Sequence, residues 1–372
     1  MGKQLQNDPS LRSCFYTRKN RFNRHPFITF LLIAFSVILI AEVFLRIVDP
    51  DILKFAYNFR QVYRYHDKWY TDFKPNSSTR IELKDSTGSY FFNFIITINE
   101  FGFRTYDRKL DSHLRPENQG KIIHAIGDSF TMGWGVNYEA SYPAILDFNL
   151  PEEYRVLNLG LNGFGTIAAT EKSLKIARQF VPDTVIYLAT ENDYSDDAKA
   201  MTHFQRPPII HKFYGGLNFL RQNFYIISVP FSLYWWIYYK KSIVVNETDF
   251  PKNKRIHKFV SHNLEARNGI FKSDPSIGKY SKSALIQYNS FLKRNDINFI
   301  VLSHGLGKVS RDIHAFCQEN DIDSYLISIP GNFRLSKEGH FNYVGNYNLA
   351  KFVLSVLIEK KFVNLKQGYG TN

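Results

Sequence analysis

Ile122-Ile123-His124-Ala125-Ile126 runs straight into Gly127-Asp128-Ser129. An apolar run of this length, ended by glycine, reads as a buried strand of a parallel sheet. A serine at the carboxyl end of such a strand sits where open α/β sheets bind their ligands. Its hydroxyl is a poor nucleophile until a base takes the proton, so Ser129 needs a histidine. Of the eleven histidines, His25 precedes a long apolar segment, and His203, His211, His257 and His262 fall in an irregular stretch. His304 ends a strand candidate and is a second site candidate. His340 stands apart in Ser336-Lys337-Glu338-Gly339-His340-Phe341-Asn342, a loop after the last strand candidate. Glu338, two residues ahead of it, is placed to fix the imidazole tautomer and to stabilise the imidazolium.

Acyl chemistry at a serine also needs donors for the oxyanion. Val156-Leu157-Asn158-Leu159-Gly160-Leu161-Asn162-Gly163 ends a strand in a Gly-rich turn whose backbone N–H groups can face such a charge. Val185-Ile186-Tyr187-Leu188-Ala189-Thr190-Glu191-Asn192-Asp193 ends another in a turn that offers the Asn192 amide. A pre-aimed donor is worth about 3–4 kcal/mol in the transition state. Gly, Asn and Asp also favour strand-ending turns for conformational reasons alone. Four such turns at the carboxyl ends of successive strand candidates set these apart from ordinary loops.

The elements that must position these residues follow from the hydrophobic pattern. Strands are expected at 121–126, 155–159, 183–189, 298–303 and 324–329, with helices at about 138–149, 166–180, 276–294, 308–319 and 343–361. Such alternation predicts a parallel sheet with helices on both faces, a three-layer α/β/α sandwich. Upstream, Arg80–Leu83 and Tyr90–Ile98 read as a hairpin in a small β appendage over 49–118. Residues 194–275 break the rhythm. There, Phe224 to Tyr239 is apolar and aromatic and meets Lys240-Lys241. Pro230 and its short length argue against a span; a membrane-interface insertion, a lid or an ordinary packed excursion are the readings.

Phe27 to Ala41 carries no charge, and counting on through Glu42 to Leu45 gives 19 residues, enough to cross a bilayer. The apolar side chains cover every face, unlike a core helix, and no small-residue cleavage site closes the run. An uncleaved anchor over 26–48 is expected, with Glu42 near its outer end in reach of headgroups. The tail of residues 1–25 holds Lys3, Arg12, Arg18, Lys19, Arg21 and Arg24 against Asp8, which is +5 of the net +13. That places the N-terminus in the cytoplasm and the remainder outside it, in the periplasm of a Gram-negative host. The charge is thereby explained by topology, and with no nucleic-acid signature no nucleic-acid partner is expected. Cys14 and Cys317 form no CxxC pattern and lie on opposite sides of the expected membrane, so neither a disulfide framework nor a cysteine metal site is expected.

In this order the motifs resemble those of the SGNH (GDSL-like) hydrolase superfamily, over roughly 120–360. Within a domain at 119–365, the resemblance implies Ser129 as nucleophile and His340 as base. It implies an oxyanion hole from the Ser129 N–H, Gly163 and Asn192, with Asp128 and Asp193 as supporting neighbours and Glu338 as the orienting acid. The chain departs from the family pattern at Thr190, where Gly is usual, and at Lys337, where Asp is usual. The activity implied is ester hydrolysis on an acylated extracytoplasmic glycan or lipid, without metal or organic cofactor. Acyl transfer to an envelope polysaccharide through the same site, or a non-catalytic assembly role on a decayed hydrolase fold, are the alternatives. Trp134 and Tyr194 beside the motifs are compatible with a sugar or an acyl chain.

Overall fold

In the strand at Lys121–Gly127, successive side chains enter two different cores. Ile122 and Ile126 join one cluster while Ile123 and Ala125 join the other. A period of two with both faces apolar is the signature of a strand covered on both sides. The computed structural model describes residues 25–84, 88–106, 120–230, 233, 277–335 and 339–364. The basic tail, Cys14, Lys337, Glu338 and most of the aromatic run after Pro230 lie outside the described residues.

Helix α1 (Pro26–Val48) is followed by α2 (Asp51–Gln61) and a hairpin of β1 (Tyr63–His66) and β2 (Tyr70–Phe73). Strands β3 (Ser77–Lys84), β4 (Tyr90–Ile98) and β5 (Arg104–Thr105) come next. From residue 121 onward the elements alternate. They are β6 (Lys121–Gly127), α3 (Ser129–Met132), α4 (Tyr142–Asn149), β7 (Tyr154–Asn158), α5 (Thr166–Ile176) and β8 (Thr184–Ala189). After α6 (Asp193–Phe204) and α7 (Pro208–Asn223) come α8 (Ile277–Arg294), β9 (Asn298–His304), α9 (Lys308–Glu319), β10 (Asp323–Ile327) and α10 (Tyr343–Glu359).

The main sheet has eight strands in the order β10-β9-β8-β6-β7-β5-β4-β3. Its parallel part, β6 to β10, has the doubly wound order in which the chain leaves β6 to one side for β7 and returns on the other for β8. The crevice at that reversal, at the carboxyl ends of β6 and β8, is the place such sheets reserve for ligands. Helices α4 and α10 cover one face, and α5, α8 and α9 the other. The sandwich expected from the alternation is present as a mixed, mostly parallel sheet.

Three of the upstream strands continue this sheet, while β1 and β2 pair in a separate two-stranded one. Strands β3, β4 and β5 join antiparallel beyond β7, through the pair Arg104↔Asn158. The hairpin β1–β2 is fastened to the core by a buried ion pair, Lys172 Nζ to Asp72 Oδ1 at 3.2 Å, with Arg64 and Lys175 also on Asp72. Burial works against the Asp72 carboxylate, yet these three cations bring its pKa well below the usual value.

Helix α1 starts on Pro26, whose missing N–H costs nothing in a first turn. It is the one described helix long and apolar enough to cross a membrane. Its side chains face outward all round except Glu42, which is buried. Glu42 does not stretch toward headgroups as expected. It accepts from the Tyr225 and Ile226 backbone N–H groups at 3.0 and 2.9 Å, because a helical turn at 225–230 presents unsatisfied donors there.

Candidate active site

Ser129 opens α3 directly after β6, at the sheet reversal. Asp128 caps this short helix, its Oδ1 accepting from the Phe130 N–H at 2.9 Å. His340 Nε2 stands 2.6 Å from Ser129 Oγ, across 211 positions of sequence. Both groups are half-buried, so the pair is in reach of a substrate. The imidazole lies against the Phe130 ring, with centroids 4.7 Å apart, which restricts its tilt.

The loop that carries His340 is held at both ends. Leu335 N–H donates to the His340 carbonyl at 2.8 Å, and Asn342 N–H to the Phe333 carbonyl at 3.1 Å. Asn342 then caps α10 through its side chain, accepting from Gly345 N–H at 3.0 Å. Glu338, the expected orienting acid, lies outside the described residues. His304 lies beside the pair, packed on Phe130 and Phe341, but points its Nε2 toward Arg334 at 3.5 Å. Burial, with the Arg334 charge, brings its pKa down to about 4 and keeps it neutral.

The Gly-rich turn after β7 runs alongside α3 and Ser129. Leu161 N–H donates to the Gly127 carbonyl at 3.1 Å, so the turn prolongs the β6–β7 ladder. Gly160 packs directly on α3: a Cβ there would stand 2.3 Å from Met132 N. Gly163 is exposed and in the left-handed region (φ +75°), with open space where a Cβ would be. Asn158, fully buried, braces both neighbours by accepting from Gly160 N–H and donating to the Met132 carbonyl.

At the end of β8, Asn192 reaches Asp128. Its Nδ2 donates to Asp128 Oδ2 at 3.2 Å and to Asp196 Oδ2 at 2.6 Å. Thr190 is the hub of this network. Its Oγ1 lies 2.9 Å from Asp128 Oδ2, 2.7 Å from Asn192 Oδ1 and 2.9 Å from Asp193 Oδ1. One hydroxyl proton cannot serve three acceptors. Burial and the neighbouring Asp128 raise the Asp193 pKa well above the usual carboxyl range. Tyr187 OH closes the network on the other Asp193 oxygen.

Two groups without a motif shape the site. Arg104, fully buried on β5, donates through Nη1 to the Met132 and Gly133 carbonyls, both at 2.7 Å, and through Nη2 to Ile95 and Val136. It thus grips the loop that leaves α3. Burial lowers its pKa to about 10. Asp197, also fully buried, accepts from Ile167 N–H at the start of α5 and from Ser281 Oγ. Neither lies on a periodic face that sequence reading could assign. Trp134 is a correction: it is 5% exposed and packed among Phe59, Phe92 and Phe94, so it is core and offers no stacking surface to a substrate. Tyr194 is partly buried and its hydroxyl is engaged by Asp312 at 2.6 Å. Cys317 is buried, and burial pushes its thiol up to about 12. Among the described residues no cluster of three or more His, Cys, Asp or Glu is suited to a metal ion.

No family model and no curated protein matches the sequence. Among solved structures, the chain is similar to a member of the lipolytic G-D-S-L family from Veillonella parvula, at 14% identity and a TM-score of 0.35, covering 64% of this chain and 98% of that one. It is similar also to a psychrotrophic esterase of a Pseudoalteromonas species, at 10% identity and a TM-score of 0.36, covering 65% and 98%. The chain itself presents the mostly parallel, helix-flanked sheet and the order of motifs that the SGNH (GDSL-like) resemblance implies.

Proposed function

We propose that the chain is a membrane-anchored serine esterase acting on O-acyl groups of an extracytoplasmic glycan or lipid. The observation that carries this reading is the 2.6 Å approach of His340 Nε2 to Ser129 Oγ at the carboxyl end of β6. At that separation the imidazole can accept the hydroxyl proton as oxygen attacks an ester carbonyl. The tetrahedral oxyanion is met by the Ser129 and Gly163 N–H groups and by Asn192. The Asn192 amide hydrogens rest on Asp128 and Asp196, and one turns to the oxyanion as its charge develops. The imidazolium returns its proton to the leaving alkoxide, and water attacks the acyl-serine with His340 again as base. Glu338 orients the imidazole. Helix α1 holds the domain at the membrane, with the N-terminal tail inside.

Turnover of p-nitrophenyl acetate by the full chain in detergent, compared with Ser129→Ala, tests the reading. Loss of turnover in the variant, together with a mass adduct from a fluorophosphonate probe on the parent alone, is the expected result. Equal turnover and no adduct would leave a hydrolase fold without its chemistry.

A further inference from the structure

Helix α7 is built inside out for a soluble protein. None of its sixteen residues is buried. The side turned to the protein is polar or aromatic: His211 bonds to Tyr65 OH at 2.6 Å, Tyr214 stacks on Tyr65, and Gln222 meets the Arg60 and Tyr63 carbonyls. The side turned away is mostly apolar. Ile209, Phe213 and Phe219 are 69%, 64% and 61% exposed, Ile210, Leu220 and the capping Phe224 join them, and Lys212 and Asn223 are exposed at one border of this face. A largely apolar face of this kind on the outside of a folded chain marks a surface that something covers.

The other end of α7 says what covers it. Asn223 carbonyl accepts from Arg46 Nη2 at 2.6 Å, and Glu42 takes the Tyr225 and Ile226 N–H groups. Arg46 also bonds Glu42 at 2.7 Å, and Tyr225 OH reaches Asp49 at 3.0 Å. The C-terminal end of α7 is therefore fastened to α1 at Arg46, two residues or about 3 Å before Val48, and the helical turn that follows α7 is fastened at Glu42, about 9 Å before it. An amphipathic helix lying in a membrane plane sinks roughly 5–10 Å into the boundary between headgroups and acyl chains. Both attachments lie in the last two turns of α1, at the end where that boundary falls. We propose that α7 is an in-plane membrane helix, whose Ile209–Phe213–Phe219–Leu220 face inserts into the outer leaflet of the bilayer that α1 spans.

The inference rests on the reading of α1 as an anchor, and the test separates the two. The full chain, with Cys14→Ser and a single Phe213→Cys or Ile209→Cys carrying an environment-sensitive fluorophore, is reconstituted in phosphatidylethanolamine–phosphatidylglycerol vesicles. A label at Phe148→Cys on α4, 90% exposed in the parent, is the aqueous reference. The expected result is a blue-shifted emission at 213 and 209, quenched by nitroxide-bearing lipid and shielded from iodide, with the reverse at 148. Vesicle flotation after an alkaline carbonate wash, which strips helices that lie only in the interface, reports on α1: a chain that does not float loses the anchor, and the inference with it. A chain that floats while 213 and 209 remain open to iodide keeps its anchor and overturns the in-plane helix. Labels shielded from iodide yet untouched by lipid nitroxide would mean that a second copy or another part of the chain covers the face, which also overturns it.

Discussion

The Arg104 guanidinium donates to the Gly133 carbonyl at 2.7 Å, joining the antiparallel edge of the sheet to the loop that leaves the Ser129 helix α3. Four backbone carbonyls accept from this one buried side chain. Arg104→Met should strip that donor from all four and cost roughly 3 kcal/mol or more. Arg104→Lys should recover little, since one ammonium cannot span the fork. Thermal melts and p-nitrophenyl acetate turnover would both fall; unchanged values for Arg104→Met would remove the residue from the site's support.

Thr190 occupies the position where the resembled family carries Gly, and its hydroxyl touches Asp128, Asn192 and Asp193. Thr190→Val keeps the shape and removes the proton and acceptor. The expected loss is about tenfold in kcat, or ~1.4 kcal/mol, with KM little changed. Thr190→Ser should restore most of it. A Val variant with parental kcat would show that Asn192 is held without the hub.

Asp197 supplies a pH signature. Burial raises its pKa to about 7 against an ordinary value of 3.8. The sign follows from the unfolded chain ionising first: the contribution is fully present below about pH 4 and is lost as pH rises through about 7. Asp197→Asn mimics the protonated form and lacks this slope. Its melting temperature should therefore gain on the parent between pH 5 and pH 8, by the equivalent of a few kcal/mol at most. Parallel melting curves across that range would place the titration elsewhere.

Gly163 at φ +75° has room for a methyl group but not the backbone freedom for one. Gly163→Ala should cost about 1 kcal/mol in stability. If its N–H faces the oxyanion, turnover should drop by a further ~100-fold as the peptide swings away. A stability loss with turnover intact would assign Gly163 to the turn alone.

Glu338→Gln should slow turnover at least about tenfold by releasing the imidazole tautomer. Full activity would mean that another group orients His340.

The five parallel strands, and the helices between them, were legible because each buried face repeats with its own period along the chain. The Gly-Asp-Ser turn and the histidine loop could be read for the same reason: local turn chemistry concentrates Gly, Asn and Asp at strand ends. Trp134, compatible by its position with a substrate contact, packs in the core instead, since adjacency to a motif says nothing about which way an aromatic ring packs. Arg104 was invisible. An isolated arginine after a turn has no periodicity, and its four partners come from two distant segments.

What the sequence determined by itself was the list of reacting groups, the apolar helix and the alternation that builds the sheet, all set by neighbours within a few positions. Tertiary structure alone decided that His340 meets Ser129, and that β3, β4 and β5 extend the same sheet. It alone turned Glu42 from a membrane-edge charge into the cap of a helical turn 183 residues away. These are pairings between distant segments, and they form only when burial leaves a donor or a charge no closer partner.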